Sequence, residues 1–108
     1  MPEPAVVTPR GELDLAAIAS LDAAVRSALA AAGTPPRLVI DLSDVSVLHP
    51  VVLGVLLDAR RSCRRRDGAM ALVVTTSEVA VTLATTDVEA LFEVTPGLPQ
   101  AMAQVSRC

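Results

Sequence analysis

The run from Leu38 to Leu57, LVIDLSDVSVLHPVVLGVLL, limits the fold more than any other part of this chain. Leu38, Val39 and Ile40 follow one another with no polar residue between them. That pattern suits a strand covered on both faces, as parallel sheets with flanking helices require. Ser43 to His49 reads as the loop after this strand. Pro50 fits the first position of a helix, where a missing N–H costs nothing. The helix extends to about Arg66, and Asp67-Gly68 ends it.

The flanking segments repeat the alternation. Ahead of the run, Pro2, Pro4 and Pro9 leave room only for a short edge strand near Ala5 to Thr8. Gly11 allows a turn, and Asp14 is a plausible N-cap. Ile18, Leu21, Val25 and Leu29 recur at helical spacing. Gly33 fits the position just past that helix, and Thr34-Pro35-Pro36 prevents its resumption. After the run, Ala69 to Val74 reads as a second buried strand, Ser77 as the cap of a helix to about Thr86, and Leu91 to Val94 as a short strand. Leu98, Met102 and Val105 mark one face of a last helix. Strand and helix thus alternate four times, which predicts an α/β fold with a mostly parallel sheet of four to five strands and about four helices. The expectation is a single domain over residues 1–108.

With 52% hydrophobic residues but Phe92 as the sole aromatic, the core must come from Val, Leu, Ile and Ala. No apolar run reaches the roughly 18 residues of a membrane span, and no secretory leader is visible. The cytoplasm is the expected location, with no membrane partner. Cys63 and Cys108 read as free thiols of a reducing compartment. Two cysteines and one histidine do not make a zinc centre, and no phosphate loop or catalytic triad is present. Neither a metal, a cofactor nor an enzymatic activity is expected.

Several segments in order resemble the STAS domain of bacterial anti-sigma factor antagonists: Gly11-Glu12-Leu13-Asp14, Val39-Ile40-Asp41-Leu42-Ser43, Leu53-Gly54-Val55-Leu56-Leu57, and Glu89-Ala90-Leu91-Phe92-Glu93-Val94. The resemblance implies a protein-binding module of partner switching. In that family the antagonist binds an anti-sigma factor that is also a serine kinase, frees the sigma factor, and lets go once phosphorylated. The family motif at the loop-to-helix junction reads Asp-Ser-Ser/Thr-Gly-Leu, with the phosphate on the second hydroxyl. Here the aligned residues are His49, Pro50, Val51, Val52 and Leu53. Val51 has no hydroxyl to attack the γ-phosphate of ATP. The resemblance therefore implies a partner surface of Glu12, Asp14, His49, Pro50, Val51, Val52 and Leu53 that is not phosphorylatable at the usual position.

Each of these residues also has a plainer role. Asp14 can simply cap a helix, and Glu12 can be a solvated turn position. His49 can be a neutral histidine finishing a loop, a pH sensor or an interface residue. Ser43 and Ser46 are the nearest hydroxyls to which phosphorylation could have moved, or loop hydroxyls bonding local backbone. Thr75-Thr76-Ser77 follows a parallel strand, where ligands often bind, though capping the next helix is the more economical account. Arg60, Arg61, Arg64, Arg65 and Arg66 read as a solvated face complementing a helix end, a docking patch for an acidic partner, or a nucleic-acid contact. The net charge of -3 and the missing aromatics oppose the last, and no nucleic-acid partner is expected. The family usually begins with two paired strands, and this chain has room for only one short one, so an open edge could support homo-oligomers. That edge motivates the alternative function, a scaffold or signalling-assembly STAS protein acting through self-association or other partners. Asp87 stands where the family often has glycine.

Overall fold

A computed structural model describes residues 3–106. The strands are β1 (Ala5–Val7), β2 (Gly11–Leu13), β3 (Arg37–Asp41), β4 (Val45–Leu48), β5 (Ala69–Val73) and β6 (Glu93–Thr95). The helices are α1 (Ile18–Ala31), α2 (Leu53–Arg65), α3 (Ser77–Thr85) and α4 (Leu98–Ser106). Short 3-10 turns cover Leu15–Ala17, Pro50–Val52 and Glu89–Leu91.

β1, β3, β5 and β6 form one sheet in that order, and every pairing in it is parallel. Each residue of β3 is buried, as its unbroken apolar run requires. One face, with Val7, Leu38, Ile40, Met70 and Leu72, packs against Leu21, Val25 and Leu29 of α1 and Val55, Leu56, Ala59 and Cys63 of α2. The other face, with Val39, Ala71 and Val73, is covered by Ala101 and Val105 of α4. A second sheet pairs β2 with β4, also parallel, and α3 packs on β4.

Two sequence expectations fail here for the same reason. Gly11 opens a strand rather than a turn, and the segment from Ser43 to His49 contains a strand rather than only a loop. The N-terminal part therefore holds two strands, not one, and they pair with β3 and β4 instead of with each other. Gly11 has φ +77, a conformation glycine adopts freely. The register skips Ser46 between the Gly11–Val45 and Glu12–Val47 partners, which is a β-bulge. Strands of three and four residues with a bulge carry no periodicity to read.

Gly33, with φ +77, follows α1 as expected, and Pro50 opens the turn that leads into α2. Asp87 adopts φ +59, a left-handed conformation that aspartate tolerates better than most residues. At α3 the cap residue is Thr76, not Ser77, and it makes no side-chain cap bond. The strand expected over Leu91 to Val94 begins later, at Glu93, because Glu89–Leu91 closes a 3-10 turn first. Cys63 is fully buried under the first core, where burial pushes its thiol up against a weaker downward pull from the Arg66 charge. It packs as a neutral group. Cys108 lies outside the described residues.

Candidate functional site

The β2–β4 pairing builds the site. The His49 N–H donates to the Leu13 carbonyl at 2.9 Å, so the two strands end level with each other. Each then enters a 3-10 turn, and the two turns are neighbours. Asp14 has extended backbone and its Oδ1 accepts from the Ala16 N–H at 3.0 Å. His49 is likewise extended, and its Nδ1 accepts from the Val51 N–H at 3.2 Å. Segments that lie about 35 residues apart in the chain thus share one face.

His49 thus caps the Pro50–Val52 turn through its side chain, as Asp14 caps the Leu15–Ala17 turn. His49→Ala is expected to cost about 1 kcal/mol in urea unfolding, and His49→Asp to restore most of it, because a carboxylate caps at least as well. A His49→Asp variant less stable than His49→Ala would refute the capping role.

Of the residues expected at a partner surface, Glu12, Asp14, His49, Pro50 and Val51 are exposed, Val51 by 42%. Val52 and Leu53 are 0% and 5% exposed and belong to the core. They anchor the turn from beneath, and the surface loses them. It gains Leu15, whose side chain is 73% exposed at the residue after Asp14. Leu15 stands three residues before Ile18, a spacing that suits the buried face of α1; the 3-10 turn there leaves it in solvent. Val47, the register partner of Glu12, is exposed as well. The face therefore carries apolar Leu15 and Val51 beside the carboxylates of Glu12 and Asp14. Asp44 nearby is joined to Arg10 at 3.8 Å in an exposed ion pair.

At the end of β3, buried Asp41 accepts from the Ser43 N–H at 3.0 Å and from the Ser43 hydroxyl at 2.6 Å. This turn ends β3 and starts the approach to β4. The Ser43 hydroxyl is committed to that bond, whereas Ser46 stands exposed at the bulge. No group of three or more metal-ligating side chains occurs among the described residues. No described helix is long and apolar enough to cross a membrane.

Residues 2–101 match the family model of the STAS domain. The chain belongs to the STAS domain family. Its fold is that of a crystal structure of an anti-sigma factor antagonist from Mycobacterium paratuberculosis, 28% identical, with a TM-score of 0.82 over 94% of this chain and 84% of the other. A candidate anti-sigma factor antagonist from Thermotoga maritima, 24% identical, shares the fold with a TM-score of 0.82, over 99% of this chain and 92% of its own. No curated protein matches the chain in sequence. In this STAS chain the parallel strands and four helices run from β1 to α4.

Proposed function

We propose that this STAS chain is a non-enzymatic binding module in sigma-factor regulation, and that it docks an anti-sigma factor of the serine-kinase type through the Leu15–Val51 face. The observation that carries this reading is the β2–β4 pairing, which sets exposed Leu15 and Val51 beside Glu12 and Asp14. Apolar anchors with a charged rim are what a protein interface needs. The likeness to the Mycobacterium paratuberculosis anti-sigma factor antagonist supports the choice of partner.

A phosphoserine at position 51 would bring about -1.5 to -2 charges at pH 7 to a face that already holds Glu12 and Asp14. Repulsion from an acidic or apolar partner surface is the release step of partner switching. Val51 cannot take the phosphate, so this chain acts as an antagonist that stays bound. The alternative, self-association through the open edge of β1, is opposed by Pro4 and Pro9, which bracket its three residues and blunt the edge.

The test is a binding assay against each serine-kinase anti-sigma factor of the source organism, with and without ATP, beside Val51→Ser. The native chain is expected to bind and ATP to leave it bound, while the variant becomes phosphorylated and is released. Absence of binding to any of these kinases overturns the reading.

A further inference from the structure

The far end of α2 lies about 20 Å from the Leu15–Val51 face, the length of its 13 residues at 1.5 Å each. Basic charge collects there. All nine basic residues of the chain are arginines, and five of them fall between positions 60 and 66, in a chain of net charge -3. The carbonyl end of a helix attracts cations only within its last turn, which accounts for Arg64 and Arg65. Arg61 pairs with Asp58 at 3.1 Å, and Arg66 reaches the Gly33 carbonyl at 3.5 Å.

Arg60 is left unexplained by these roles. It stands a turn too early for the helix end, four residues before Arg64 on the same side of α2. Like charges at that spacing repel, and neither arginine has an ion-pair or hydrogen-bond partner among the described residues. Both line a concavity of about 380 Å³, together with Met70 and the exposed Leu91, and with Asp67 and Glu93.

We propose that this concavity is a second docking site, which takes an acidic protein segment carrying an apolar side chain. Carboxylates of the segment pair with Arg60 and Arg64, the apolar side chain lies over Met70 and Leu91, and backbone N–H groups meet the carboxylates of Asp67 and Glu93. A sugar-phosphate backbone has no N–H donors to offer those two carboxylates. Phe92 is the sole aromatic and is buried, so no ring is available for bases to stack on. The need for backbone donors and the missing ring thus select a peptide over a nucleic acid. With one site at each end of α2, a single STAS chain can hold two partners at once. This second site stands whether or not the first binds an anti-sigma factor.

Fluorescence anisotropy on the full chain tests it. The probes are a labelled peptide of repeated Asp-Glu-Leu-Glu, the same peptide with Ala in place of Leu, and a single-stranded oligonucleotide of equal charge. The Leu peptide is expected to bind, to bind better than the Ala peptide, and to weaken as salt rises from about 50 to 300 mM. Arg60→Glu with Arg64→Glu is expected to weaken it by about tenfold or more, while Leu15→Asp leaves it unchanged. Arg60→Gln with Arg64→Gln, checked by circular dichroism, gives the same direction without charge reversal. Unchanged binding by a folded double variant, no binding by the native chain, or tighter binding of the oligonucleotide than of the Leu peptide overturns the proposal.

Discussion

Gly68→Ala is expected to destabilise the fold by about 3 kcal/mol, the upper end of what overpacking usually costs. A Cβ at position 68 would run into the Pro36 carbonyl oxygen and meet the Pro36 ring carbons Cγ and Cδ at 2.8 and 2.9 Å. The carbonyl cannot step aside, because it accepts from the Ala69 N–H at 3.0 Å and so starts the pairing of β3 with β5. Gly68 cannot step aside either, since its own N–H donates to the Cys63 carbonyl at 2.8 Å and closes α2. For a domain of this size the loss corresponds to a fall in Tm of roughly 12–20 °C, read by circular dichroism. A fall below about 5 °C would mean that the Pro36 loop yields more easily than its hydrogen bonds allow. Asp67→Gly is the matched control. Asp67, not Gly68, holds the left-handed backbone, at φ +56. Replacing it should change stability by no more than about 1 kcal/mol, since relief of that conformation offsets the added freedom of the unfolded chain.

The contrast between these two residues shows what a sequence discloses. Asp67-Gly68 marks the end of α2 on composition alone, and the end is there. Which residue turns left and which is small for lack of space depends on Pro36, some thirty residues away. The same division runs through the chain. β3, β5, α1 and α2 were legible because their apolar residues follow a period or an unbroken run. β2 and β4 were not, because each is stabilised by the other across a long separation and by a bulge at Ser46. The site divides likewise. Glu12, Asp14, His49 and Val51 stand out in their own segments, yet their sharing of a face is a product of the β2–β4 pairing. In His49-Pro50-Val51-Val52-Leu53 nothing in the letters says which valine points outward. The 3-10 turn at Pro50–Val52 decides it, exposing Val51 and burying Val52.

Leu15→Asp and Val51→Asp should each weaken binding to the proposed anti-sigma partner by at least about 30-fold, the equivalent of a 2 kcal/mol anchor. Each change does more than truncate. It places a new carboxylate in a contact that must shed water, and an unpaired charge there is costly. It also adds to the negative charge of Glu12 and Asp14, as phosphate would in a family member that can be switched. Stability should hardly respond, because Leu15 lies largely in solvent and Val51 is outside the core, so Tm is expected to stay within about 3 °C of the native value. Val94→Asp separates the site from the general cost of placing an acid on an exposed valine. Val94 is 41% exposed against 42% for Val51, but it lies on β6, at the outer edge of the other sheet. Isothermal titration of the three variants against the proposed serine-kinase partner gives the comparison directly. Weakening by Leu15→Asp and Val51→Asp with Val94→Asp unaffected places the anchors on the two 3-10 turns. Equal effects from all three would assign the loss to net charge, and the face built by β2 and β4 would no longer be the docking surface.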